Sequence, residues 1–358
     1  MYTLVVTDTV GNVTTVNFEI ENVAPIVTGV MEGGIYISVV PSFNEGTAQL
    51  NGTAYTSGTK IDQDGVYTLV VTDAAGNVTM VKFIIDRTAP TVTGVVYGVS
   101  YNTDRTITFN EGTATLNGDP FASGETVSAE GDYTLIVTDA VGNVTTVSFT
   151  IHKTGPTVTG VVYGSSYNTD RMITFNTGIA TLNGDPFASG SEVSAEGDYT
   201  LIVTDAMGNV TTIAFTIDKT VPIISGVTDG SIYNTNQSIT FNEGTATLNG
   251  DPFASGATVF AEGDYTLVVT DEAGNVTMIS FTIDRTNPII TGLTVGISNY
   301  TSPLTIGFNE GTATLNGQPF TTGTRVISSG NYTLVVIDEA GNQTIATFTL
   351  NISTPESG

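Results

Sequence analysis

Carboxylates at fixed spacing are the side chains here best suited to chemistry, and the chemistry they suit is the capture of a hard divalent cation. Three acids recur together along the chain. One lies four residues before a recurring proline, one is the Glu of an Asn-Glu-Gly turn, and one opens an Asp-x-x-Gly-Asn turn. The sets are Glu21, Glu45 and Asp73; Asp86, Glu111 and Asp139; Asp218, Glu243 and Asp271; Asp284, Glu310 and Asp338. At ~4 Å and an effective dielectric of ~20, each like-charge pair costs about 4 kcal/mol before relaxation. A cation with six to eight oxygen ligands removes that cost, and calcium suits such a flexible site better than magnesium. All twelve acids are therefore candidate ligands of a structural calcium ion, with further carboxylates expected from Asp132 or Glu130, Asp198 or Glu196, and Asp264 or Glu262.

A fifth set has lost two members: His152 stands at the linker position and Thr177 in the turn, leaving Asp205. A hinge is expected at His152. Two metal-free readings compete with calcium. Asp139 begins a turn and Gly142 suits positive φ, so the turn motif works as hairpin chemistry alone. Four bases, Arg87, Lys153, Lys219 and Arg285, also sit beside the linker positions. Surface ion pairs with the acids are worth only ~0–1 kcal/mol. No EF-hand loop or glycine-aspartate nonapeptide is present.

The elements that must position these acids follow from the period. Gly-Asn recurs at Gly11-Asn12, Gly76-Asn77, Gly142-Asn143, Gly208-Asn209, Gly274-Asn275 and Gly341-Asn342, in steps of 65, 66, 66, 66 and 67 residues. Pro25, Pro90, Pro156, Pro222 and Pro288 recur with it. The expected division is a partial repeat at 1–21 holding only a two-stranded hairpin, then five repeats at 22–86, 87–152, 153–218, 219–284 and 285–352, and a tail at 353–358. The second and third repeats differ at 12 of 66 aligned positions.

Within 87–152, apolar residues alternate with Thr or Ser in short runs bounded by Gly, Asn, Asp and Pro, which predicts strands throughout. Strand A is expected at 91–96, opened by Pro90 where a missing N–H is tolerated. Strand B is expected at 106–109, C at 113–116, F at 133–138 and G at 144–151. Asn117-Gly118-Asp119-Pro120 reads as a turn, and a short strand is expected around Val127. Ile107, Phe109, Tyr133, Leu135, Val137, Val147, Phe149 and Ile151 are expected to face inward. Six or seven short strands in 66 residues suggest a small immunoglobulin-like sandwich. Tyr133 stands where such sandwiches place a tyrosine corner, and Tyr2, Tyr67, Tyr199, Tyr265 and Tyr332 hold the same place. In this fold the BC and FG turns share a pole with the incoming linker, which is what gathers the three acids.

Tyr-Thr-Leu-x-Val-Thr-Asp-x-x-Gly-Asn (Tyr133–Asn143), an apolar strand (Phe149–Ile151), and Asp218-Lys219-Thr220-Val221-Pro222 stand together in one period. The combination resembles the bacterial immunoglobulin-like tandem repeats of cell-surface adhesins. The resemblance implies an all-β fold, an extracellular stalk, and calcium at some domain junctions. His152 and Asn351 depart from its linker acid.

Composition excludes other classes. The 358 residues carry 35 acids against 9 bases, a formal charge of −26, with no Cys, no Trp and one His. A polyanion of this kind will not neutralise nucleic-acid phosphates. No thiol chemistry or His-rich metal site is available, and a single His argues against a Ser–His triad. Hydrophobic content of 40% argues against disorder. No apolar run approaches the ~18–20 residues of a membrane helix, and Met1–Asn12 lacks a signal-peptide pattern.

The expected architecture is a tandem array of small immunoglobulin-like β-sandwiches forming an extended rod, at roughly 35–40 Å per repeat. The expected function is non-enzymatic: a spacer or stalk of a secreted or surface-attached adhesin. Host-surface or polysaccharide ligands would be bound by domains outside this sequence. Two alternatives stand beside it. One is a carbohydrate- or protein-binding module, with the divergent AB loop of the last repeat, 298–303, as its candidate site. The other is a filament subunit associating head to tail through the hairpin at 1–21, whose open edge invites pairing.

Overall fold

Alternation of β-branched and small polar residues is strongest where the strands are longest. The computed structural model describes residues 1–352, and in the second repeat it places strand F at Gly131–Thr138 and strand G at Val144–Ile151. They pair antiparallel with Leu135 opposite Val147 and Tyr133 opposite Phe149. Strand C, Thr113–Leu116, lies on the other side of F, with Ala114 opposite Val137. On the inward face Leu135, Val137, Val147, Phe149 and Ile151 are buried.

Several elements differ from the sequence expectation. Strand F begins two residues earlier, B runs from Arg105 in two pieces, and three further differences lie at 92–93, 100–101 and 119–121. Asn117-Gly118 alone makes the turn after strand C, both with positive φ (51° and 94°), as a two-residue type I′ hairpin requires. Asp119 and Pro120 then belong to a further strand, Asp119–Phe121 (C′), pairing with Leu116 and Thr115. C′ is an edge strand, where proline costs no ladder bond. Strand A is also shorter, Val92–Thr93, because the chain leaves the extended region at Gly94, whose φ is 94° and whose carbonyl accepts from the Arg105 guanidinium at 2.8 and 2.6 Å. The chain then crosses to the other sheet. Ser100–Tyr101 (A′) runs parallel to G, with Tyr101 opposite Ile151.

Each repeat is thus two sheets. One has the order A′-G-F-C-C′. In the other, B (Arg105–Thr106 and Thr108–Phe109) pairs with A through Val92–Phe109 and with E (Thr126–Val127) through Arg105–Val127. The core lies between them: Ile107 and Val127 from one sheet meet Ala114, Leu135, Val137 and Phe149 from the other. Tyr133 stacks on Phe149 at 5.3 Å and Tyr101 meets the same ring edge-on at 6.4 Å. Such aromatic pairs add about 0.5–1.5 kcal/mol each beyond area burial. Phe109 and Tyr133 are half-buried at the core margin.

The chain forms two compact units: Met1–Gly155 with Thr204–Asn209, and Pro156–Val203 with the chain from Val210 onward. The first holds the cores around Phe83 and Phe149, and the second those around Phe215, Phe281 and Phe348. The first also holds the hairpin Tyr2–Thr7 and Val13–Phe18, with Tyr2 opposite Phe18 and Leu4 opposite Val16. All of its residues are exposed. No helix among the described residues is long and apolar enough to cross a membrane. The tail at 353–358 lies outside the described residues.

Candidate functional site

The pole that receives the linker is built from the FG turn outward. Asp139 Oδ1 accepts from the N–H groups of Val141 (2.9 Å) and Asn143 (2.8 Å), and Oδ2 accepts from the Asn143 amide at 2.7 Å. The same carboxylate-to-Asn bonds form from Asn77 to Asp73, Asn209 to Asp205, Asn275 to Asp271, and Asn342 to Asp338. At Asp139 burial raises the pKa, but the Asn143 amide and the backbone N–H groups outweigh it, and the carboxyl sits below its ordinary value. Asp205 is lowered in the same way. Asp73 is lowered chiefly by the Asn77 amide.

Against this turn lies the Asn-Glu-Gly turn. A Cβ on Gly112 would collide with the Thr138 carbonyl oxygen and stand 3.0 Å from the Asp139 Cα, so only glycine permits the approach. Gly46, Gly244 and Gly311 meet Asp73, Asp271 and Asp338 in the same manner. The BC and FG turns therefore share one pole, as the sandwich topology predicts.

The linker enters at that pole and is held through its backbone. The Asn143 amide, besides binding Asp139, donates to the Asp86 carbonyl at 3.1 Å. The equivalent bonds run from Asn77 to Glu21, Asn209 to His152, Asn275 to Asp218, and Asn342 to Asp284. Two residues after each Asn, a Thr hydroxyl takes the linker proline carbonyl. Thr145 holds Pro90, Thr79 holds Pro25, Thr211 holds Pro156 (2.6 Å), Thr277 holds Pro222, and Thr344 holds Pro288 (2.6 Å). The BC Asn completes the clasp: Asn110 Oδ1 accepts from Thr91 N–H at 2.7 Å, as Asn44, Asn176, Asn242 and Asn309 do in their repeats.

The linker's basic residue is held from the other side, by an acid just before strand F. Asp64 Oδ1 accepts from Arg87 N–H at 2.8 Å, Glu196 from Lys219 at 2.7 Å, and Glu262 from Arg285 at 2.7 Å. Glu130 accepts from Lys153 N–H and from the Thr154 hydroxyl at 2.8 and 2.9 Å. The Thr154 hydroxyl and then the Lys153 N–H hold the Glu130 carboxyl below its ordinary value. Three of the four basic side chains reach the AB loop rather than the linker acids: Lys153 meets Asp104, Lys219 meets Asp170 at 2.5 Å, and Arg285 donates to Asn236, while Arg87 donates to the Asp62 carbonyl at 2.9 Å.

The twelve acids therefore share poles as expected, but their carboxylates turn to local donors. Asp73, Asp139, Asp271 and Asp338 close their own turns. The linker acids cap the N–H two residues on: Glu21 to Val23, Asp86 to Thr88, Asp218 to Thr220, and Asp284 to Thr286. Glu45, Glu111, Glu243 and Glu310 accept from the neighbouring Asn amides. Among the described residues, no three such side chains form a group able to hold a metal ion. In the last repeat Glu310, Asp338 and Glu339 line one depression of about 410 Å3.

The tyrosine corner is present in all five repeats. The Tyr67, Tyr133, Tyr199, Tyr265 and Tyr332 hydroxyls donate to carbonyls four residues upstream at 2.8–2.9 Å. The Asn and Thr of the Gly-Asn-x-Thr run are the clasp residues that sequence reasoning missed. Their signal was available: the run recurs in step with the linker proline.

The chain is a tandem array of immunoglobulin-like β-sandwiches. No protein-family model matches it, and no curated protein matches. Among solved structures, the N-terminal eight Ig domains of Down Syndrome Cell Adhesion Molecule align over 98% of this chain and 63% of that one, at 10% identity and TM-score 0.29. The chain thus spans less than two thirds of that structure. Sidekick-1 immunoglobulin domains 1–5 align over 93% and 99%, at 13% identity and TM-score 0.23. A Ca2+-stabilized adhesin of an Antarctic bacterium aligns over 92% and 99%, at 15% identity and TM-score 0.16. At these values the likeness is one of fold alone.

Proposed function

We propose that this chain is a structural spacer of a bacterial surface adhesin, working outside the cell and divided into repeats at 22–86, 87–152, 153–218, 219–284 and 285–352. One observation carries the reading: the same three-point clasp holds the linker backbone at every repeat, from Asn44, Asn77 and Thr79 through to Asn309, Asn342 and Thr344. Restraining a linker limits bending between neighbours, which is the task of a spacer. Near-identity of the second and third repeats favours the same reading, since recognition asks for one distinctive surface. Solution scattering on the whole chain tests it. Five repeats at ~35–40 Å each give a maximum dimension of roughly 200 Å. A compact particle overturns the proposal.

A second reading, calcium at the junction acids, is favoured by the shared depression of Glu310, Asp338 and Glu339. A cation there must compete with the Asn342 N–H and amide, which already occupy both Asp338 oxygens. Thermal unfolding with excess calcium and then with a chelator separates the two. The clasp reading gives the same transition in both, and a large rise with calcium gives the acids to the metal.

A further inference from the structure

The fifth repeat departs from the other four along one edge of strand G. In the first four, the segment joining A to A′ seals that edge twice. A buried valine (Val30, Val95, Val161, Val227) enters the core. A glycine N–H three residues later bonds a strand G carbonyl: Gly33 to Lys82 at 2.8 Å, and Gly98 to Ser148, Gly164 to Ala214 and Gly230 to Ser280 at 2.7 Å. The inward residue of G beside that carbonyl is Val81, Val147, Ile213 or Ile279.

The fifth repeat places Ala346 there, and its connecting segment carries one extra residue. Leu293, in the valine position, is only half-buried, and Val295 and Ile297 stand exposed. Gly296 makes no bond to the Thr347 carbonyl. Thr333, opposite Thr347, turns its N–H and C=O to Asn316 on the far side of strand F. Among the described residues, then, the Thr347 carbonyl has no hydrogen-bond partner. Beside it opens a groove of about 360 Å3 lined by Ile289, Ile290, Leu293, Val295, Ile297 and Ala346.

We propose that this groove is a docking site for an extended apolar segment of a partner protein, added along strand G. A branched aliphatic side chain sits over Ala346 and a backbone N–H bonds the Thr347 carbonyl. The chemistry of the occupant is read from the chain's own repeats, where a valine and an N–H three residues on fill the equivalent space. Strand addition supplies both at once: main-chain bonds give affinity and the pocket selects the side chain. The proposal is independent of the spacer reading, since one repeat of a spacer can carry a docking edge.

The test uses the whole chain and a fluorescein-labelled peptide copying Thr91–Gly98 of the second repeat. Anisotropy is expected to show saturable binding. Ala346→Ile, which restores the residue of the third and fourth repeats, is expected to weaken it about tenfold or more while leaving the melting temperature equal or higher. A peptide with Val95→Asp is expected not to bind. Absence of saturable binding, or binding indifferent to Ala346→Ile, overturns the proposal. Sedimentation of the peptide-free chain reads the rival occupant: self-association abolished by Ala346→Ile would put a second copy in the groove and overturn the partner assignment.

Discussion

Asp86 and His152 hold the same position in two neighbouring repeats, one an acid and one an imidazole, yet their backbones are treated alike. Each gives its carbonyl to the Asn of the following FG turn, at 3.1 Å in both cases. Each is followed by a linker whose next residue donates its N–H to an acid before strand F, Asp64 in one case and Glu130 in the other. The structural role of the position resides in its peptide group. A carbonyl is supplied by every residue type, so the loss of the carboxylate leaves the clasp intact at His152.

The sharpest way to break this comparison is to remove the donor rather than the acid. Asn143→Ala deletes the amide that serves both Asp139 and the Asp86 carbonyl, and Asn209→Ala deletes its equivalent at Asp205 and His152. Leaving partly buried acceptors unsatisfied costs about 1–3 kcal/mol. The two substitutions are expected to cost the same, read locally as faster amide hydrogen exchange in the linkers at 86–91 and 152–157. A much smaller cost for Asn209→Ala would show that the His152 linker is held differently after all.

What the sequence made legible has the same division. Strands C and G stand where alternation predicts them, and Ile107, Leu135, Val137, Phe149 and Ile151 are buried as their parity requires. Each of these signals is carried by side chains over several residues. Strand A′ was not legible, because Ser100–Tyr101 is too short for a period and pairs parallel with a distant strand. Asp119-Pro120 read as a turn because both residues favour turns, and the edge position that tolerates them is a property of the sheet. The acids were placed at the right pole, but the partners of their carboxylates were not foreseen. Those partners are N–H groups two and four residues away, and the linker acceptors are carbonyls, which leave no mark in a sequence.

Acid pH offers a smaller, collective test of the two positions. Asp139, Asp205 and Glu130 all lie below their ordinary values in the folded chain. A carboxyl lowered by folding stabilises the fold above its unfolded pKa, and that contribution is lost as pH falls through the lowered folded value. Melting temperature is therefore expected to be level from neutral pH down to the ordinary carboxylate range, then to fall below it. The charge of His152 adds to the lowering at Glu130 and Asp205. The His152→Asn variant is thus expected to begin its acid decline at a slightly higher pH than the parent chain. An identical profile would detach His152 from these two carboxyls.

The smallest effect is expected where the sequence alone would have placed the largest. His152→Asp with Thr177→Glu rebuilds the missing members of the acid set, and the backbone clasp neither gains nor loses a bond. The first substitution would bring a third carboxylate near exposed Glu130 and half-buried Asp205, where a charge pair with an exposed partner is worth only ~0–1 kcal/mol and is screened by salt. The double variant is expected to melt within about a degree or two of the parent at moderate ionic strength, slightly lower at low salt, and identically with calcium or chelator. A calcium-dependent rise that appears only in the double variant would mean that the rebuilt acids outcompete the Asn209 donors for Asp205. Function at these poles would then reside in side-chain charge, and the equivalence of positions 86 and 152 would hold for their peptide groups alone.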